Sequence, residues 1–119
     1  MGFREHLEEI CARVDGSLLC SVMGYDGIAV ETVEQRPDGL DVAALLVEYT
    51  QVVNQVRQAA SVLQSGKIEE LVVSTDKLTA FSRPLTADYF LVLALGPDGN
   101  WGKARFVMRT TAPKVQAEF

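Results

Sequence analysis

Phe3, Leu7, Ile10, Cys11 and Val14 recur at steps of three and four, while Arg4, Glu5, Glu8, Glu9 and Arg13 take the other side. This pattern predicts an amphipathic first helix, stopped at Asp15-Gly16, where glycine accepts the positive φ of a helix end. Ser17 to Met23 and Ile28 to Val33 are short and apolar or β-branched, and Gly24-Tyr25-Asp26-Gly27 separates them. They read as a β-hairpin turned at Asp-Gly. Gln35-Arg36-Pro37-Asp38-Gly39 has the chemistry of a polar loop, and Asp41 is placed to cap the element that follows.

The period changes at Val42. Val42, Leu45, Leu46, Tyr49, Val53, Val56, Ala60 and Leu63 keep to helical steps over about six turns of ~3.6 residues. They predict a long helix with this stripe in the core, ended at Ser65-Gly66 by a left-handed cap. Leu71 to Thr75, Leu78 to Ser82 and Tyr89 to Leu95 return to strand character, with Pro84 expected at a strand end because proline cannot donate to a ladder. After Gly96-Pro97-Asp98-Gly99, Asn100 is placed to cap a last helix carrying Trp101, Ala104, Val107, Met108 and Ala112, with Pro113 as its limit. The hairpin connections are too short for parallel crossovers. The fold class is therefore α+β: a mostly antiparallel sheet covered by helices, in a single domain over residues 1–119 without repeats.

Composition narrows the function classes. A net charge of -5 without any basic run leaves nucleic acid without an electrostatic footing. The longest apolar run, Phe90 to Leu95, is far short of the ~20 residues of a membrane span, and the charged start is unlike a secretory signal, so no membrane insertion and a cytoplasmic location are expected. Cys11 and Cys20 sit in apolar periodicity and read as small hydrophobes; with His6 they fall short of a zinc ligand set. His6, the single histidine, has charged neighbours and reads as a solvated surface side chain. Adjacent Glu8-Glu9 and Glu69-Glu70 diverge on any regular element and read as surface charge. No nucleophile elbow, phosphate loop or dinucleotide glycine pattern occurs, so neither a catalytic site nor a cofactor is expected.

The back of the long helix is the informative surface. At ~100° per residue, the side opposite the apolar stripe carries Ala44, Val47, Gln51, Gln55, Gln58 and Val62, with Glu48 and Arg57 only toward its flanks. A face left in water normally holds lysine and glutamate, so Val47, Gln51, Gln55 and Gln58 are the candidate contacts with another protein. The strand Leu71, Val72, Val73, Ser74 and Thr75 has apolar residues on both faces and neither charge nor proline within it to protect an edge. It is the candidate dimer seam, and the helix face could serve either the dimer or a further partner.

The element order, the Asp26-Gly27 reversal, the long central helix and the segment Gly102-Lys103-Ala104-Arg105-Phe106-Val107-Met108-Arg109 together resemble the roadblock family over nearly the whole chain. The resemblance implies a five-stranded antiparallel sheet with the long helix on one face and the terminal helices on the other. It also implies a homodimer joined through the long helices and third strands, and a partner that is a small Ras-like GTPase. Bacterial MglB-type members stimulate hydrolysis on such a GTPase, whereas other members are scaffolds. A small-molecule sensing module of profilin-like or PAS-like layers is the competing expectation, and it requires a concave apolar pocket.

Overall fold

The computed structural model describes residues 2–35, 39 and 41–119. Arg36, Pro37 and Asp38 of the expected polar loop lie outside the described residues. The elements run α1 (Phe3–Arg13), β1 (Ser17–Gly24), β2 (Ala29–Glu34), α2 (Val42–Leu63), β3 (Leu71–Ser74), β4 (Thr79–Pro84), β5 (Tyr89–Leu95) and α3 (Trp101–Gln116). The five strands form one sheet in the order β2-β1-β5-β4-β3, every neighbouring pair antiparallel.

The apolar run at Phe90 to Leu95 now has a cause. β5 is the central strand, and its side chains feed two separate cores. Leu91, Leu93 and Leu95 join Cys20, Val22 and Phe81 beneath α1 and α3. Phe90, Val92 and Ala94 join Leu19, Met23 and Ala80 beneath α2. A strand covered on both faces has no polar side to display, so the long helix lies on one face and the terminal helices on the other.

Local chemistry sets the joints. Gly16 has φ +86°, and a Cβ there would stand 2.7 Å from the Gly99 Cα, so the α1–β1 turn and the β5–α3 turn can pack together only with glycine. At the β1–β2 reversal the Gly27 N–H donates to the Gly24 carbonyl at 3.0 Å and Asp26 Oδ1 accepts from the Ile28 N–H at 3.0 Å. Asp41 and Asn100 cap α2 and α3 by accepting from Ala44 N–H and Lys103 N–H, each at 3.0 Å.

The ends of β1, β2 and β4 shift by one or two residues from the pattern, and three other boundaries differ for local reasons. The left-handed cap of α2 is Gln64, at φ 54°, two residues before Gly66, so a non-glycine residue accepts the strained conformation. Thr75 leaves β3 and turns the chain, its hydroxyl accepting from Lys77 N–H and Leu78 N–H. Pro113 lies inside α3 instead of ending it. Its ring is exposed, as is Arg109, whose carbonyl loses the i,i+4 donor, while buried Thr111, Ala112 and Val115 hold the final turn on the core. Pro84 closes β4, in agreement with its missing donor.

The two sheet edges are unlike. Along β2, Arg4 Nη1 reaches across from α1 to Glu31 Oε1 at 3.0 Å and to the Thr32 carbonyl at 3.4 Å. A bulge interrupts the β1–β2 register between Val22 and Met23. At the other edge β3 is hydrogen-bonded, among the described residues, to β4 alone.

Candidate interaction surface

α2 spans 22 residues, about 33 Å at 1.5 Å per residue. The strands beneath it are eight residues at most, so the helix outruns the sheet. Val42, Leu46, Tyr49, Thr50 and Val53 are buried, and burial stops there. Val56 and Ala60 are only half-buried and Leu63 is 74% exposed. The expected core stripe is therefore core in its first half and open surface in its second.

Two uncovered faces result. Val47, Gln51, Gln55 and Gln58 are all exposed on the outer side, together with Ala44 and Val62. Glu48 and Arg57 are the only charges in the helix. A second row runs Leu45, Val52, Val56, Ala59, Leu63, all within about 40° of one line at ~100° per residue. Its spacing of seven, four, three and four is that of a helix-pairing seam. Val52 is 44% exposed and Ala59 is open, while Leu45 and Val56 are half-buried. Periodicity places Leu45, Val56 and Leu63 in the core and singles out neither Val52 nor Ala59, although the spacing of the five together carries the signal.

Contacts orient these faces. On one flank Asn54 Nδ2 donates to the Tyr25 carbonyl at 2.8 Å, which ties α2 to the β1–β2 turn. On the other, Tyr49 Oη lies 3.2 Å from the Leu71 carbonyl of β3 and 3.1 Å from Ser82 Oγ. The second row therefore lies on the β3 side. β3 places Leu71 and Val73 on the α2 face and Val72 on the other, all half-buried, with Ser74 exposed. The open edge and the open helix row are neighbours.

Burial pushes the Tyr49 hydroxyl up to about 12, with the Ser82 hydrogen bond opposing it. In the unfolded chain the phenol titrates near ~10, so between the two values the unfolded state loses its proton first. Stability is then complete below about pH 10 and falls as pH rises toward 12, by about 2–3 kcal/mol at ~1.36 kcal/mol per unit. Denaturation midpoints at pH 9 and 11.5 should diverge in the native protein and much less in Tyr49→Phe. Equal divergence in both would assign the alkaline loss to other groups.

Two side chains expected in solvent are held in place. His6 is 5% exposed, with Nε2 3.4 Å from Glu118 Oε1 and Nδ1 lacking a hydrogen-bond partner among the described residues. The cause is distant in sequence: Phe119 packs against Phe3 and stacks on Tyr89, each at 4.8 Å between centroids, which folds the residues after α3 over α1. Glu70 is only partly exposed and pairs with Arg105 at 2.9 Å and Arg83 at 3.6 Å. It ties the start of β3 to β4 and α3, while Glu8 remains exposed beside Arg4 at 3.1 Å. Cys11 and Cys20 are free, buried thiols in one core. Among the described residues no group of three or more histidine, cysteine or carboxylate side chains could hold a metal ion, and no helix is long and apolar enough to cross a membrane.

No family model and no curated protein matches the chain. Solved structures do. MglC from Myxococcus xanthus is 48% identical, with 100% of both chains covered and a TM-score of 0.75. A Roadblock/LC7 domain from Streptomyces avermitilis is 14% identical over 98% of this chain and 97% of that one, with a TM-score of 0.84. The gliding protein MglB from Thermus thermophilus is 15% identical over 98% of this chain and 87% of that one, with a TM-score of 0.87. The latter two likenesses are of fold alone.

Proposed function

This chain belongs to the roadblock family, and on that footing we propose that it is a homodimeric regulator or scaffold for a small Ras-like GTPase, without a catalytic site of its own. The observation that carries the reading is the uncovered surface of α2 beside the open β3 edge. Two-fold pairing of Leu71 to Ser74 with its copy supplies the missing ladder partner and brings the rows Leu45, Val52, Val56, Ala59 and Leu63 together. The dimer then takes the flank seam. The outer face with Val47, Gln51, Gln55 and Gln58 is left free, uncharged and two-fold repeated, for the GTPase.

The paired sheets and helices make one continuous platform, so a GTPase docked on it contacts residues of both copies. Such a partner can be restrained or stimulated by where its mobile segments are held, without a side chain inserted into its nucleotide site. The test is recovery of bound protein from native lysate by the immobilised full chain, with and without a non-hydrolysable GTP analogue, and identification of what is recovered. A small GTPase whose recovery depends on the nucleotide is the expected result. Recovery of no GTPase, or of one insensitive to nucleotide, sinks the reading.

A further inference from the structure

The overhang of α2 that exposes its outer rows also leaves space beneath it. Between the second half of the helix, the β4–β5 turn and the start of β3 lies a groove of about 580 Å³, within the ~300–1,000 Å³ of small-molecule sites. Val53, Ala60, Leu71, Leu85 and Phe90 make an apolar floor. Arg57 and Lys67 stand on its wall, and no carboxylate is among the described residues that line it. That is the reverse of the chain as a whole, which has 16 acidic and 11 basic side chains. Neither cation is in an ion pair with a described residue.

Arg57 is also pre-set. Its guanidinium lies 3.5 Å from the centroid of the Tyr25 ring, and Nη1 donates to Asn54 Oδ1 at 3.1 Å. Tyr25 in turn packs on Phe90 at 4.9 Å. A cation fixed by an aromatic face and a neighbouring amide loses little freedom when an anion arrives. From this juxtaposition we propose that the groove binds a small organic anion with an apolar body, its carboxylate held by Arg57 and Lys67 and its hydrocarbon part lying on the floor.

The proposal does not rest on the GTPase reading, since Arg57 and Lys67 belong to neither the outer face nor the helix seam, although Leu71 of the floor lies in the strand proposed to pair. Calorimetric titration of the full chain with sodium octanoate, and separately with octan-1-ol, tests it. Octanoate should saturate at one molecule per chain and bind about tenfold or more tightly than the alcohol, the difference being the charge-assisted contact. Arg57→Gln with Lys67→Gln should erase that difference, and Lys103→Gln on α3 should not. Ala60→Trp, which fills the groove, should abolish binding of both with the circular dichroism of the native fold retained. No saturable octanoate binding, or a double variant that binds octanoate as the native chain does, overturns the proposal. Binding that arises only in a monomeric variant also overturns it, because the groove is then covered by the second copy.

Discussion

Val73→Pro should turn a dimer into a monomer at micromolar concentration, as read by light scattering. The strand it alters is four residues long and, among the described residues, bonded on one side only, to β4, so each backbone donor in it is a large share of any pairing. Proline restricts the backbone of this edge strand, and the donor it removes at Val73 faces β4, as does that of Thr75, whose N–H bonds the Leu78 carbonyl. A change that also loosened β3 from β4, where Val73 pairs with Ala80, would confuse the result. Val52→Lys with Leu63→Lys meets that difficulty, because both side chains are already open to solvent, at 44% and 74%. A monomer tolerates these lysines, whereas a two-fold seam sets like charges against each other. The expected outcome is a folded monomer, with the dissociation constant raised ~100-fold or more by unpaired interfacial charge. A native protein that is monomeric at high micromolar concentration defeats the dimer whatever the variants do.

The second large effect is expected at Gln51→Glu with Gln55→Glu. Both positions are exposed in the single chain, so the fold has no reason to object, and glutamate is as good a helix former as glutamine. Burying two uncompensated carboxylates under a docked GTPase costs on the order of a few kcal/mol, a loss of ~100-fold or more in affinity. Dimerisation should be unchanged, since the seam lies on another flank of α2. Affinity measured by titration, mass by light scattering and folding by circular dichroism on the same protein separate the cases. Unchanged affinity removes the glutamines from the partner site, and a folded monomer moves them into the dimer.

Most of the architecture was legible because its causes are local. The helical steps of α1 and α2, the Asp-Gly reversal and the caps at Asp41 and Asn100 depend on neighbours a few residues away. The run in β5 depends on burial on both faces, which leaves its mark on every residue. What sequence missed was decided at long range. His6 looked solvated because its own helix is charged there, yet it is buried beside Glu118, more than a hundred positions on. Glu70 looked like idle surface charge until α3 brought Arg105 to it. Pro113 was read as a stop, yet Val115 beyond it is fully buried and holds the turn. The apolar residues of α2 show the subtlest error: one periodic pattern carried two kinds of burial, and only the length of the sheet reveals where the first ends. The exposure of Val47, Gln51, Gln55 and Gln58 was legible in their missing charge, while the open row through Val52 needed the structure.

The unlike edges of the sheet also set how many copies can join. β3 offers an unfinished ladder, but β2 at the far end is bulged, acidic, and has the Thr32 carbonyl already met by Arg4. In the dimer proposed above, each outward end of the combined sheet is a β2 strand, and neither invites another chain. Growth therefore terminates by itself. The expected consequence is a mass that plateaus with concentration instead of climbing as filaments would.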